Sequence, residues 1–480
     1  MTKALNALPL ATKITLLMSL LIACLAIGLG VGNYLKAGAT NSAAIKNKLE
    51  TITVLRQAAL DDYIQSIEQD IRSLAANPAT ANALVGFTQA WTELGSNAGQ
   101  TLQALYIHDN PHPVGQKENL DRAMGSEAYH DVHAAYHPAL RTFLREKGYY
   151  DIFLFDTDAN LIYSVFKELD YATNLTSGQW RDTDLGNAAR AALASQSDGA
   201  LSFFDFKPYG PSADAPASFI STPVFGANGR LLGALVFQMP IERINQVMGV
   251  TAGLGETGEA FIVGQDHLMR SQSRFSTNNT ILARRIDTPA ARAGLDGRTG
   301  VIETVDYAGT PVLSAYSYLD VGDARWAIVA KQSMAEITAP LATMRHGMLL
   351  TGGLVILLGS AVGFFVSRRL TAPITRMTGA MRQLADGDVD IDVPARGRGD
   401  EIGEMAAAVD VFRQNAVDKI SLEAEQAAAS ERLEAEKRRA MAELADGFEA
   451  SVDQVVGAVS SAADQLVSLS QSLSAAAGRA

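Results

Sequence analysis

Gly347 to Ser367 form a run of 21 residues without a charge, and this run limits the possible folds more than any other feature. At about 1.5 Å per residue, a helix of that length extends roughly 31 Å, which is enough to cross the hydrocarbon core of a bilayer. Arg368 and Arg369 follow the run directly, and a polar segment with helical spacing begins after them. The sequence therefore predicts a membrane span that continues into a helix on the far side. This arrangement is typical of a protein that relays a signal across a membrane, rather than of an enzyme or a pore.

A second uncharged run of 22 residues, Ile14 to Leu35, predicts another span near the N-terminus. Lys3 and Lys13 precede it, and arginines follow the later span. Because positive charge flanks spans on their cytoplasmic side, both termini are expected in the cytoplasm and residues 36–346 across the membrane. A cleaved signal peptide is the alternative, since Ala37-Gly38-Ala39 resembles a cleavage site, but the apolar run is too long for a signal peptide.

Composition argues against a nucleic-acid partner and against disulfides in the outer region. The formal net charge is -12 and the outer region has no run of basic residues, so no nucleic-acid partner is expected. The single cysteine, Cys24, lies in the first span, so no disulfide is expected in the outer region. A region of about 310 residues is long enough for two modest domains.

The outer region is predicted to be α+β. A helix with apolar residues at steps of three and four runs from Ala43 to Leu74, and strand patterns rich in aromatic and β-branched residues follow it. The predicted strands cover 149–156, 161–166, 200–206, 218–225 and 231–239, then 260–263, 267–271, 301–307, 312–319 and 326–331, with helices at 81–94, 125–147, 184–195 and 288–295. The repeated order predicts two PAS-like modules, a membrane-distal one at about 77–245 and a membrane-proximal one at about 246–335.

The segment after the second span carries two apolar repeats typical of paired helices. The first repeat consists of Leu370, Ile374, Met377, Met381 and Leu384, and the second of Ile402, Met405, Val409 and Phe412. Two short helices of this kind cannot bury their seams alone, so the pattern predicts a parallel four-helix bundle in a homodimer. The seam resumes between Met441 and Leu473, which predicts a coiled coil over residues 421–480.

Residues 368–420 resemble a HAMP domain. The residues that carry the resemblance are Pro373 in the first helix, Gly387 in the connector, and Asp400, Glu401, Ile402 and Gly403 at the start of the second helix. The resemblance implies a bundle that changes between two packings when the preceding span moves.

The outer region is similar to a double Cache sensor. The stretches that carry this resemblance are Gly148 to Phe153, Phe166 to Asp170, Gly255 to Phe261 and Leu268 to Phe275. The whole layout is similar to a methyl-accepting chemotaxis protein, with a cytoplasmic segment at 1–13, spans at 14–35 and 347–367, a HAMP domain at 368–420 and the start of a signalling helix at 421–480. The resemblance implies a chemoreceptor of the bacterial inner membrane, whose periplasmic Cache sensor binds a small ligand and relays a conformational signal inward.

Receptors of that family continue into a helical hairpin that contacts a histidine kinase array, and nothing in this sequence resembles the hairpin. A kinase array is therefore an expected partner only of a longer form. The alternative is the sensor part of a Cache-HAMP histidine kinase or nucleotide cyclase. The chain as given is not expected to be an enzyme, because no histidine follows Arg368 to accept a phosphoryl group and no phosphate-binding loop is present there.

A PAS-like module holds a small ligand between its sheet and the helix and loops that cover it. The ligand-binding residues predicted on these elements of the distal module are Tyr150, Tyr163, Lys167, Trp180, Asp205, Tyr209 and Ser221, with core packing as the alternative for each. Their mixed charge predicts an organic acid or an amine. Amino-acid-binding Cache modules carry an aspartate just after a Pro-Tyr pair, whereas Pro208-Tyr209 leads here into Gly210-Pro211, which weakens an amino-acid assignment.

No metal or cofactor is expected. His130, His133 and His137 share one helical face with metal-ligand spacing, but Pro138 is expected to end the helix there, which favours packing or capping. Gly253 to Gly258 match the G-x-G-x-x-G dinucleotide pattern, but a helix precedes them and a strand follows, the reverse of what that pattern requires.

Overall fold

The computed structural model of the protein describes residues 8–443, with side-chain surroundings up to residue 426. It contains two compact units, one formed by Leu29–Leu350 and the other by residues 8–28 together with 351–443. The predicted coiled-coil seam from Leu444 to Leu473 lies outside the described residues.

The first helix, α1, runs Leu10–Ala75 over 66 residues and contains the first predicted span. It is long and apolar enough to cross a membrane. The sequence predicted a helix from Ala43 to Leu74, and in the structure that helix continues the span without a break. No proline interrupts residues 10–75, so the helical hydrogen bonds need not be broken.

Five antiparallel strands with flanking helices follow, and we call residues 78–239 the five-stranded module. Its elements are α2 (Pro78–Leu94), α3 (Ala98–Gln103), α4 (Ala128–Lys147), β1 (Asp151–Phe155), β2 (Leu161–Ser164), α5 (Asp184–Ala194), β3 (Ser202–Tyr209), β4 (Ala215–Phe225) and β5 (Leu231–Met239). The strand order is β2-β1-β5-β4-β3. Alternate residues of a strand point to opposite faces of a sheet. Ile152 and Leu154 accordingly pack in the layer that contains α1, α2 and α4, whereas Phe153 and Phe155 pack against α5.

The four-stranded module, residues 241–333, repeats this plan in shorter form. Its elements are α6 (Ile241–Met248), β6 (Glu259–Val263), α7 (Pro289–Leu295), β7 (Gly300–Val305), β8 (Pro311–Val321) and β9 (Ala324–Ser333), with strand order β6-β9-β8-β7. Phe261 and Val263 of β6 pack against α7. The two modules thus confirm the predicted double α+β fold.

Two local predictions were wrong. Residues 267–271 do not form a strand, because this segment makes isolated bridges to two partners, Val263 with Met269 and Leu268 with Arg285. Pro138 does not end its helix, since α4 continues to Lys147 and stops at Gly148, whose φ is +74°. Buried residues on both sides of the proline hold the helix together across the missing hydrogen bond.

The last two helices contain the second span and the HAMP-like segment. They are α8 (Met334–Ala385) and α9 (Glu401–Glu443), and the apolar part of α8 is also long enough to cross a membrane. Gly387 follows α8 with a φ of +93°, and Asp400 caps α9 by accepting a hydrogen bond from the Gly403 N–H at 3.2 Å. Met377 and Val409 pack together in a small buried cluster between the two helices.

Candidate ligand-binding site

Three carboxylates lie close together at the face of the five-stranded sheet that α5 covers. Asp151 begins β1, and Glu168 and Asp170 lie in the loop that follows β2. Asp151 is two residues before Phe153, so it points to the same face as that α5-packed side chain. Asp151 and Asp170 are fully buried.

Hydrogen bonds from neighbouring hydroxyl groups hold the two loop carboxylates in place. The Tyr209 hydroxyl donates to Asp170 Oδ2 at 2.6 Å. Glu168 accepts from the Tyr150 hydroxyl at 2.8 Å and from the Ser212 hydroxyl at 2.5 Å. These contacts bring Tyr209 of β3, Tyr150 directly before β1, and residues of two loops into one polar cluster.

Asp151 is held by the backbone instead. Its Oδ1 accepts hydrogen bonds from the N–H groups of Ile152 at 2.7 Å, Val165 at 2.8 Å and Phe166 at 3.2 Å. Asp151 thereby connects the start of β1 to the loop that carries the other two carboxylates.

The cluster has no basic side chain within ion-pair distance among the described residues, although the charge of buried Lys167 partly opposes the rise in the pKa of Asp151. Within residues 8–426, no ion pair of 4.0 Å or less joins Asp151, Glu168 or Asp170 to a basic side chain. Burial, only partly offset by the hydrogen bond from Tyr209, raises the pKa of Asp170 to about 7. Burial and the charges of Glu168 and Asp170 raise the pKa of Asp151 well above its usual value, and burial also raises the pKa of Glu168. A cation bound here would remove the cost of burying these negative charges.

Three buried polar atoms of the described residues on this face lack a hydrogen-bond partner: Asp170 Oδ1, Gln238 Oε1 and Ser221 Oγ. Gln238 lies directly opposite Asp151 in the β1–β5 pairing, and Ser221 is two residues beyond Phe219, which packs under α5. Gln238 Oε1 can only accept a hydrogen bond, and Asp170 Oδ1 can only accept when the carboxylate is ionised. The site therefore suits a ligand that presents N–H donors.

Four of the predicted ligand-binding residues lie around this cluster. Tyr150 and Tyr209 hydrogen-bond to its carboxylates, and Ser221 lies on the same face of the sheet. Trp180 packs against the α5 layer, and its indole N–H donates to the Leu169 carbonyl at 3.2 Å. These positions remain predicted contacts with ligand.

Tyr163 and Lys167 do not join the cluster. The Tyr163 hydroxyl lies 2.7 Å from His137 Nδ1 in the opposite, α4-covered layer. Lys167 is buried with its ammonium 4.5 Å from the centre of the Tyr163 ring and 5.1 Å from that of Tyr171. An ammonium held over aromatic faces is attracted by their negative π surfaces, but burial still lowers the pKa of Lys167 to about 7. Tyr163 and Lys167 remain predicted contacts with ligand.

Asp205 also lies elsewhere, where the five-stranded module contacts the four-stranded module. Arg270 Nη2 lies 2.8 Å from its Oδ2, and the Trp326 indole N–H donates to its Oδ1 at 2.9 Å. Its carboxylate is therefore used by protein groups.

Sequence reasoning missed Asp151, Glu168, Asp170 and Gln238 as candidate site residues. A signal was present, because an acid at the head of an otherwise apolar strand is unusual in a buried position. The spacing of Glu168 and Asp170 just after a strand is a weaker signal, since acids are common in loops.

The three histidines of α4 are buried in the layer opposite the carboxylates. His130 Nδ1 lies 3.0 Å from the Tyr106 hydroxyl, and His133 Nδ1 lies 2.7 Å from the Asp121 carbonyl oxygen. In the described part of the chain, no group of three or more His, Cys, Asp or Glu side chains could hold a metal ion.

The raised pKa of Asp170 predicts a specific pH dependence of stability. Its folded-state pKa of about 7 exceeds the unfolded value of about 3.9, so its contribution to stability falls as pH rises from about 4 to about 7. The buried histidines oppose this trend, because burial lowers the pKa of His133 and His137. We therefore expect the difference in free energy of unfolding between Asp170→Asn and the wild type to change in favour of the variant as pH rises from 5 to 8. The expected change is on the order of 2–3 kcal/mol.

Thermal unfolding of both proteins across that pH range measures the difference. Asp182→Asn is the matched control, because that side chain is 85% exposed. A pH profile of Asp170→Asn that runs parallel to that of the wild type would contradict the assignment of a buried, raised-pKa carboxyl.

Comparison with known proteins identifies two domains. Residues 39–341 match the family model of the Cache domain, and residues 365–418 match that of the HAMP domain. The "Probable chemoreceptor y4sI" of Sinorhizobium fredii is 26% identical over 476 residues, a match that covers 94% of this chain and 59% of that protein. This chain therefore spans about three fifths of the length of that relative.

Solved structures give weaker similarities. The periplasmic sensory domain of the Campylobacter jejuni chemoreceptor Tlp1 has 12% identity and a TM-score of 0.36, covering 62% of this chain and 99% of that one. The ligand-binding domain of the Pseudomonas aeruginosa amino acid chemoreceptor PctC, in complex with GABA, has 13% identity and a TM-score of 0.32, covering 59% of this chain and 97% of that one. The family matches confirm the Cache and HAMP resemblances inferred from the sequence.

Proposed function

The chain belongs to the Cache domain family, and we propose on that basis that it is a transmembrane chemoreceptor, a sensor rather than an enzyme. The observation that carries the proposal is the order of its parts: a Cache domain, an apolar helix and a HAMP domain follow one another along the chain. In this proposal both termini are cytoplasmic and the two sheet modules are periplasmic, as the flanking lysines and arginines predict.

The helix α8 is the element through which a signal would pass. It begins directly after β9, includes the second apolar run and ends in the first HAMP helix, all within 52 residues. A small displacement of its first turn is carried along a continuous helix, because the backbone hydrogen bonds resist stretching. Ligand must bind one signalling state more tightly than the other, by about 10⁴-fold to change the ratio from 1:99 to 99:1.

The ligand class that fits the five-stranded module best is a small amine. Three carboxylates without an ion-pair partner among the described residues and two unpartnered acceptor atoms favour a positively charged donor of hydrogen bonds. An organic acid, which the sequence left open, would add a fourth negative charge to the same buried site and is disfavoured.

The receptor is proposed to be a homodimer. Met381, Met405 and Phe412 belong to the apolar repeats of the HAMP segment, yet they are 39%, 47% and 60% exposed in the single chain. Apolar heptad positions of this kind are buried by a parallel partner helix pair. A second copy of the chain is the occupant that has the matching repeat.

A thermal-shift screen tests the proposal. The full chain in lipid nanodiscs is heated with primary amines, diamines and quaternary ammonium ions, and with carboxylates of matched length. We expect at least one amine to raise the midpoint, since a ligand at 100 times its Kd stabilises by about 2.7 kcal/mol. Stabilisation by carboxylates with no response to amines would overturn the assignment of ligand class.

A further inference from the structure

The two modules have equivalent pairings at the edge where their first strand begins. In the five-stranded module Asp151 of β1 lies opposite Gln238 of β5, and in the four-stranded module Glu259 of β6 lies opposite Lys331 of β9. In each module the acid is the first residue of a five-residue strand whose side chains are all buried. Gln238 and Lys331 both stand three residues before the next helix begins.

These pairs also lie on equivalent faces. Gln238 is two residues beyond Val236, which packs against α5, and Lys331 is two residues beyond Val329, which packs against α7. Since side chains alternate along a strand, both residues point into the layer between the sheet and its short covering helix. Lys331 therefore occupies in one module the place that Gln238 occupies in the other.

Lys331 is buried and surrounded by groups that bind a cation. Its Nζ lies 2.5 Å from Asp306 Oδ2, 3.4 Å from Glu259 Oε2 and 4.0 Å from the centre of the Tyr307 ring. The Tyr307 hydroxyl donates to Glu259 Oε2 at 2.5 Å, and the Ser273 hydroxyl bonds to Glu259 Oε1. Carboxylates, a tyrosine ring and a serine thus enclose one ammonium group.

The pKa shifts in the two clusters differ as the presence of a lysine in one and a glutamine in the other predicts. Burial alone would lower the pKa of Lys331, but the hydrogen bond to Asp306 and the negative charges of Glu259 and Asp306 outweigh it and raise the pKa. For Asp306 the effect of burial is likewise outweighed, by Lys331, and the pKa is lowered. In the five-stranded module, where glutamine replaces lysine, the pKa of Asp170 is raised instead.

We propose that Lys331 is a built-in ammonium ligand of the four-stranded module, filling the place that the five-stranded module keeps for an external amine. The part of this inference that concerns the five-stranded module rests on the proposed function. The part that concerns Lys331 rests on its own contacts. It follows that the native four-stranded module takes no external amine, and that removing the Lys331 side chain creates an amine site there.

Chemical rescue tests the four-stranded module. Lys331→Ala removes three methylene groups and the amine, which n-propylamine can replace, whereas Lys331→Met fills most of the space without a charge. Both variants carry Asp170→Asn, so that the five-stranded site does not contribute. We expect n-propylamine to restore about half or more of the midpoint lost in Lys331→Ala, with no comparable rise in Lys331→Met or with propionate. An equal response of both variants to n-propylamine, or none in either, would overturn the proposal.

A second variant keeps the inference testable if Lys331→Ala does not fold. Gln238→Lys places a tethered ammonium beside the carboxylates of the five-stranded module and leaves the four-stranded module intact. We expect it to unfold at a higher temperature than Gln238→Met at pH 7.5, and to resist further stabilisation by amines. A lower midpoint than that of Gln238→Met would show that the two positions are not equivalent. The proposed function can fail separately from this inference. In that case the wild type would show no response to amines, but n-propylamine would still rescue Lys331→Ala, and Gln238→Lys would still unfold at a higher temperature than Gln238→Met.

Discussion

Asp170→Asn is expected to weaken amine binding by roughly 30-fold to several thousand-fold, because truncating one partner of a buried charge pair costs about 2–5 kcal/mol. Asp170 is fully buried, its Oδ2 is held by the Tyr209 hydroxyl at 2.6 Å, and its Oδ1 has no partner in the described residues. Asparagine keeps the shape and can still accept from Tyr209, but it removes the charge that would attract an ammonium group. The change should leave the fold intact, since it removes a buried ionisable group.

Isothermal titration of the full chain with the amine selected by the thermal-shift screen measures this effect. Asp182→Asn is the control, because it changes the same kind of side chain at a position that is 85% exposed. An affinity of Asp170→Asn within about threefold of the wild type would place the amine elsewhere.

Arg270→Ala is expected to lower the free energy of unfolding by about 3–5 kcal/mol, the usual cost of breaking a buried ion pair by removing one partner. The Arg270 side chain is only 3% exposed and lies 2.8 Å from Asp205 and 2.9 Å from Asp266. Alanine would leave the Asp205 carboxylate with two neutral donors, the Trp326 indole and the Phe206 backbone N–H, both on Oδ1. Because Asp205 lies on β3 and Trp326 on β9, the loss would also loosen the contact between the two modules.

Chemical denaturation gives the measurement, with Arg298→Ala as the matched control. Arg298 forms an ion pair with Asp296 in which both side chains are more than 60% exposed, and such pairs contribute at most about 1 kcal/mol. A cost for Arg270→Ala no greater than that of the control would mean that the contact between modules rests on apolar packing alone. The loss of unfolding free energy in Arg270→Lys should fall between the losses in Arg270→Ala and Arg298→Ala, since lysine keeps the charge but cannot bind Asp205 through two nitrogens.

The difference between Asp205 and Asp170 illustrates what sequence reasoning could reach. Both are acids beside aromatic residues in strand-and-loop segments, and only Asp205 was selected as a ligand contact. Nothing local distinguishes them. Asp205 is neutralised by Arg270, which lies 65 residues later in the chain, whereas Asp170 meets Tyr209, 39 residues later, and no basic group.

The sequence by itself determined the two spans, the long N-terminal helix, most strands and the HAMP turn, because each depends on a short pattern. The length of an apolar run does not depend on where the run lies in the fold. The alternation of side chains along a strand does not depend on which strand pairs with it. Gly387 and Asp400 likewise act within one turn of the chain.

Only the tertiary structure decided which polar groups meet. The order β2-β1-β5-β4-β3 places Asp151 opposite Gln238, and the order β6-β9-β8-β7 places Glu259 opposite Lys331. Those pairings join residues more than 70 positions apart, so no local pattern encodes them. Among the described residues, long-range strand pairing therefore leaves one cluster of acids without an ion-paired cation and gives the other a lysine.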